Sequence, residues 1–209
     1  VYNFGRFTSE FKAFDENGKQ LDVLRLNSNS WSIHKAPELY KITYDVEDCW
    51  DTKQKNNFVF EPAGSNIEDS NFVLNNHCFF GYFDNMKKVE YRVNITHPQQ
   101  MFGATGLNNV VREGNIDKYT IENYNDLVDG PIMYCRPDTT HLNISGTDIL
   151  ISVYSPRKLV SSRFVGDSLE GILQAQALYL GGTLPVKNYA FIIYLCGNSR
   201  GFNSGSYGA

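Results

Sequence analysis

Residues 124–154 read YNDLVDGPIMYCRPDTTHLNISGTDILISVY, and this stretch divides the chain into two unlike regions. Upstream lies a succession of short strand patterns. Downstream lies one amphipathic helix. Within the stretch, Leu142 and Ile144 alternate with polar neighbours, residues 145–148 turn, and Ile149, Ile151 and Val153 return. That spacing predicts a hairpin, ended by Pro156. Asp126 and Asp129 lie just before a Gly-Pro step and read as turn caps before they read as an acid/base pair.

Working upstream, Phe7, Phe11 and Ala13 share one parity with polar Ser9 between them, a strand period. Residues 16–19 (ENGK) predict a tight two-residue hairpin turn, because Asn-Gly accepts positive φ. The return strand is expected over 20–26, with another turn at 27–30 and a new strand from Trp31. Tyr40, Ile42, Tyr44 and Val46 alternate with Lys41, Thr43 and Asp45, the cleanest half-buried strand pattern of the chain. A short strand is expected at 58–60, before Pro62. Val89, Tyr91, Val93 and Ile95 mark another strand. Residues 101–114, rich in Gly and Asn, read as irregular. Strands at this density joined by turns predict an antiparallel sandwich.

Working downstream, Asp167 reads as a helix N-cap with Glu170 three residues on. Leu169, Ile172, Leu173, Ala177 and Leu180 form an apolar face at helical spacing, and Gly181-Gly182 stops it. Gly171 within it costs about 1 kcal/mol against Ala, so packing must hold the helix. Residues 189–196 (YAFIIYLC) are a continuous apolar run, expected to be a strand buried on both faces. Strand, helix and buried strand open an α/β unit. The expected fold class is therefore mainly β, an antiparallel β-sandwich followed by a small α/β segment.

A charge of −4 and no dense Lys/Arg cluster exclude a phosphate-following surface; Lys53–Lys55 is the nearest approach and reads as solvated loop. Nucleic acid is not an expected partner. No apolar run reaches the ~20 residues of a spanning helix, so no membrane span is expected. Residues 1–7 (VYNFGRF) lack the pattern of a signal peptide and read as a cut edge. The four cysteines, Cys49, Cys78, Cys135 and Cys196, contain no C-x-x-C pair; Cys78 and Cys196 sit among apolar neighbours and read as small buried hydrophobes.

Catalytic chemistry is not visible in these residues. His34, His77, His97 and His141 offer no i, i+4 pair for zinc and none lies on the helix. Ser204-Gly205-Ser206 and Gly201 echo a nucleophile elbow or phosphate loop without completing either pattern. Asn94-Ile95-Thr96 and Asn143-Ile144-Ser145 match glycosylation sequons inside predicted strands. Phe79, Phe80, Tyr82 and Phe83 could stack on sugar rings, but core packing is the simpler reading.

Several stretches together resemble the M61 family of zinc metallopeptidases, the glycyl aminopeptidase group. They are residues 11–15 (FKAFD) with Gly18-Lys19, 29–33 (NSWSI), 40–46 (YKITYDV), 60–64 (FEPAG) and 124–133 (YNDLVDGPIM). Leu184-Pro185 followed by Tyr189-Ala190-Phe191 resembles the family's Leu-Pro and Tyr-x-Phe. Tyr207-Gly208-Ala209 is similar to the start of a family motif that continues Leu-Glu-His, related to the edge strand that holds the substrate in M1 aminopeptidases.

The resemblance implies an N-terminal β-sandwich over 1–140 and, from 141 to 209, the start of a thermolysin-like catalytic domain. It implies a parent enzyme that hydrolyses N-terminal peptide bonds of a peptide substrate through zinc-bound water. In this chain it implies Gly208 and Ala209 as substrate-binding residues and no catalytic or metal-binding residue. The expectation is a piece truncated at both ends, with zinc in the parent and none held here, and self-association through exposed sheet edges. Export is implied by the relatives alone. Two other readings compete: a non-catalytic β-sandwich module that binds glycan or peptide, and a scaffold that kept the sandwich and lost catalysis.

Overall fold

The computed structural model describes residues 3–50 and 63–195, and the backbone of 205–208. The strand expected at 58–60, the Lys53–Lys55 loop and Cys196 lie outside the described residues. The chain divides into two compact units: Val1–Asn66 with His77–Phe79, and Ile67–Asn76 with Phe80–Ala209.

In the first unit a 3-10 turn, Phe4–Phe7, leads into β1 (Thr8–Phe14), followed by β2 (Gln20–Leu21), β3 (Val23–Asn27), β4 (Ser30–Ile33) and β5 (Lys41–Val46). One antiparallel sheet has the order β2-β1-β5, and β3 pairs with β4 in a separate hairpin. The return strand expected over 20–26 is thus broken at Asp22.

The β1–β2 loop has three residues, not two. Asp15 N donates to Lys19 O at 2.9 Å, and Gly18 alone takes positive φ, at 80°. A bulge at Glu10 (φ 49°) shifts the register between Ser9 and Lys12. As a result Thr8 and Ala13 fall on one face and Ser9 and Lys12 on the other, which breaks the single parity read from sequence. Nor is β5 cleanly half-buried: Tyr40, just before it, is 71% exposed. Phe11 stacks on Trp31 (centroids 4.8 Å) and on Tyr44 (5.9 Å), and Arg25 covers the Trp31 ring at 5.1 Å.

The second unit contains β6 (Asn66–Glu68, from Ile67 on), β7 (Asn71–Leu74), β8 (Tyr91–Thr96), β9 (Phe102–Thr105), β10 (Val111–Glu113), β11 (Ile116–Ile121) and β12 (Ile132–Cys135). Residues 101–114 therefore carry two strands where irregular chain was expected. The Gly- and Asn-rich residues lie mostly between these strands, and β9 and β10 are held by their ladder partners β12 and β11. Two antiparallel sheets, β10-β11-β8 and β6-β7-β12-β9, share a core of Val93, Tyr119 and Ile121 from one and Ile132 and Tyr134 from the other. Leu127 joins that core from a short helix, Tyr124–Asp129, capped by Asn123, whose side chain accepts from Asp126 N at 3.0 Å.

Next come β13 (Thr139–Ile144) and β14 (Thr147–Tyr154), joined by Ser145 and Gly146, both at positive φ (51° and 88°). The long helix, Ser162–Tyr179, follows and leads to β15 (Asn188–Tyr194). Its N-cap is Ser161, not Asp167: the Ser161 hydroxyl accepts from Phe164 N at 3.2 Å. Asp167 is instead inside the helix, paired with Arg163 at 2.9 Å. At the other end Gly182 N reaches Ala177 O and Gly181 N reaches Leu178 O, with both glycines at positive φ, a Schellman stop. The helix buries a narrow stripe, Ser162, Gly166, Leu173 and Ala177. Ile172 and Leu180, assigned to its apolar face from sequence, are exposed.

The architecture is mainly antiparallel β with a small α/β segment after the sandwich sheets.

Candidate substrate-binding edge

The last sheet has the order β13-β14-β15-β16, where β16 is Gly205–Gly208. Its centre follows directly from sequence. Ile149, Ile151 and Val153 of β14 are at most 1% exposed and pack with Leu173 and Ala177 of the long helix. The helix approaches closely because Gly166 has no Cβ: one added there would lie 3.1 Å from Thr140 Cγ2 and 3.4 Å from Ile151 Cδ1. Its start is tied to the sheet by Ser162, whose hydroxyl donates to Asp138 Oδ1 at 2.7 Å and lies 2.9 Å from Thr140 Oγ1.

Strand β15 runs parallel to β14 along its whole length, from Asp148↔Asn188 to Tyr154↔Tyr194. Ala190, Ile192 and Tyr194 are buried, and Tyr189, Phe191 and Ile193 are half-buried against the same core. The continuous apolar run is thus a central strand. On its far side β16 pairs antiparallel, with Gly208 opposite Phe191 and Gly205 opposite Tyr194. As the end strand of this order, β16 has one ladder partner among the described residues. Ala209 lies outside them. Ser204 and Gly201 do as well, while Gly205 and Ser206 fall in this strand.

Among the described residues no group of three His, Cys, Asp or Glu side chains is placed to hold a metal ion. The side chains present do not fit a zinc site. His34, His77 and His141 are exposed, and His141 pairs with Asp148 at 3.3 Å. Asp126 takes a hydrogen bond from Asn123 Nδ2 at 2.7 Å, as a residue of a capped first turn. Of the aromatic cluster, Phe80 packs into the sandwich core, and Tyr82 lies against Tyr124 (4.8 Å) with Lys87 over its ring (4.2 Å).

His97 is not a surface residue. It belongs to a buried polar centre that sequence reading missed. Asp117, 2% exposed, accepts from Arg112 Nη1 at 2.6 Å and from Tyr134 Oη at 3.0 Å. His97 Nε2 lies 3.6 Å from Asp117 Oδ1, and its ring packs on Tyr134 at 4.7 Å. Burial holds the Tyr119 hydroxyl up at about 12, and burial with Tyr119 as neighbour pushes Tyr134 higher still. One signal was available: Asp117 shares the buried parity of β11 with Tyr119 and Ile121. Arg112 reaches it from β10 and Tyr134 from β12, while Tyr119 stands on its own strand, β11.

The peptidase M61 N-terminal domain family matches residues 1–136. The chain belongs to the M61 peptidase family. No curated protein sequence matches this M61 chain. Among solved structures, an aminopeptidase N family protein from Idiomarina loihiensis is similar, with a TM-score of 0.79 at 17% identity. The match covers 94% of this chain and 32% of that one, so the M61 chain spans about a third of that protein's length. At this identity the likeness is one of fold. At 94% coverage of this chain it extends past the family match.

Proposed function

We propose that this chain supplies the sandwich and one wall of the substrate cleft in a zinc-dependent aminopeptidase. In this reading the sandwich occupies 1–140, and 141–209 opens a thermolysin-like catalytic domain. The observation that carries it is β16, an end strand laid antiparallel on a buried β15 within a sheet backed by a helix. Such an edge offers backbone N–H and C=O groups to an extended peptide, and glycine allows close approach of a second backbone. Gly208 and Ala209 are the positions assigned to bind substrate. The described residues gather no zinc ligands, so metal and general base are assigned to the remainder of the parent enzyme. The chain is not catalytic by itself.

The test is hydrolysis of glycyl- and alanyl-p-nitroanilides by the parent enzyme. Gly208→Val is expected to raise KM about tenfold or more with zinc content unchanged. An unchanged KM would remove the role of this edge. The 209 residues alone are expected to show no hydrolysis and no stoichiometric zinc by elemental analysis; metal held by protein ligands would refute the division of labour. The same open edge and the exposed Leu178 and Tyr179 of the long helix favour self-association of the isolated chain, to be read by light scattering at micromolar concentration. A stable monomer there would count against it.

A further inference from the structure

The three described cysteines are all buried, and two of them meet. Cys49 follows β5, where its backbone N–H donates to Ser65 O at 3.1 Å. Cys78 lies in a single helical turn, Asn76–Phe79. Their sulfurs are 4.0 Å apart in a small core shared with Phe7 and walled by Phe4, Trp50 and Phe79. No third His, Asp or Glu joins them, so the pair has no metal-ligating set among the described residues. Two buried thiols 4.0 Å apart are placed for thiol–disulfide exchange with each other.

We infer that Cys49 and Cys78 are a redox-closing pair that joins into a disulfide when presented with a small-molecule or protein disulfide as oxidant. A bond of about 2.05 Å requires the sulfurs to close by about 2 Å from their 4.0 Å separation. Cys49 is the attacking partner. The contact with Cys78 holds the Cys49 thiol below its ordinary value, while Cys78 itself is pushed up by the same contact and by burial. The Cys49 thiolate attacks one oxidant sulfur, forming a mixed disulfide and expelling a thiolate. The Cys78 sulfur then attacks Cys49, breaking the mixed disulfide and expelling the second thiolate. The two cysteine protons end on the two released thiols. The cysteines lose two electrons and the oxidant gains them.

The location gives this bond a consequence. His77–Phe79 belongs to the first unit, whereas the residues on either side of it, 67–76 and from 80 onward, belong to the second. The bond would fasten that inserted turn to its own core and close a loop over residues 50–77, and loops of this length give a cross-link a large effect on the unfolded chain.

The experiment uses the intact protein, reduced and then exposed to oxidised glutathione, once while folded and once during refolding. Remaining thiols are alkylated in denaturant, and the digest is read by mass spectrometry without reductant. The expected result, under either condition, is a linked pair of peptides containing Cys49 and Cys78, lighter by two hydrogen masses and separated by dithiothreitol. Cys135 remains alkylated. Cys78→Ala should abolish the linked species and leave glutathione on Cys49. Recovery of Cys49 and Cys78 as fully alkylated thiols under both conditions would overturn the inference. So would their joining to Cys135, to Cys196 or to a second molecule in place of each other. The wild-type arm needs no variant to fold.

Discussion

Arg112 Nη1 and Asp117 Oδ2 are 2.6 Å apart; the aspartate side chain is 2% exposed and the arginine side chain 35%. The same guanidinium donates through Nη2 to Gly103 O at 2.7 Å and lies 4.3 Å over the Phe102 ring. One arginine thus ties β9, β10 and β11 together. Removing it while leaving Asp117 strands a buried charge, which costs more than the pair itself contributes. Arg112→Met is expected to destabilise the fold by about 3 kcal/mol in urea unfolding. Adding Asp117→Asn should recover part of that loss, because the orphaned charge is gone.

Tyr119 sets an alkaline limit. Its hydroxyl is raised from an ordinary 10.0 to about 12, chiefly by burial. A raised acid is a proton held more tightly by the folded chain. Its contribution is therefore complete below pH 10 and is lost as pH climbs from about 10 toward about 12. Tyrosinate absorbance should show a late-titrating fraction that ionises together with unfolding. Tyr119→Phe should remove one late equivalent. Titration of every tyrosine near pH 10 with the fold intact would contradict this.

Asn76 holds the end of the short helix at 124–129. Its amide is fully buried, and Nδ2 donates to Leu127 O at 2.9 Å and to Gly130 O at 2.7 Å. Asn76→Ala leaves two carbonyls without this donor, a loss of about 2–3 kcal/mol. Asn76→Asp should be worse, because it sets acceptor against acceptor. Thermal unfolding of the two variants gives the order; Asp tolerated better than Ala would contradict it.

Gly103 is required for space. A Cβ there would lie 2.6 Å from Tyr134 Cε1 and 2.7 Å from Asp117 Oδ2. Neither neighbour is free to move, since each is bonded within the buried polar centre. Gly103→Ala is expected to cost about 2 kcal/mol through overpacking. Gly171→Ala, at an open helix position with nothing within 4 Å, should instead stabilise by up to about 1 kcal/mol. Denaturant midpoints of the two variants should move in opposite directions.

Much of the fold was written locally. Alternation over residues 149–153, a glycine pair after a helical face and an apolar run at 189–194 each depend on neighbours a few positions away, and each formed as read. The strand of Tyr91, Val93 and Ile95 formed as well, although Val89, read as part of it, lies ahead of β8. Local reading failed where a contact from far along the chain outweighed propensity. β9 and β10 are strands because β12 and β11 pair with them, not because Phe102–Thr105 or Val111–Glu113 favour extension. Ser161 rather than Asp167 caps the helix because Asp138 and Thr140 hold Ser162 against the sheet. One residue in left-handed backbone, Glu10, inverted the facing of a strand.

Sequence alone therefore determined the mainly β fold class, the elements with a local pattern and the family, since periodicity, turn residues and motif spacing survive without coordinates. Only the tertiary structure decided which side chains meet. Asp117 with Arg112, Asn76 with two distant carbonyls and Cys49 with Cys78 are separated by 5 to 54 positions in the chain. Burial makes those meetings matter, because a polar group or thiol removed from water must find its partner inside the protein.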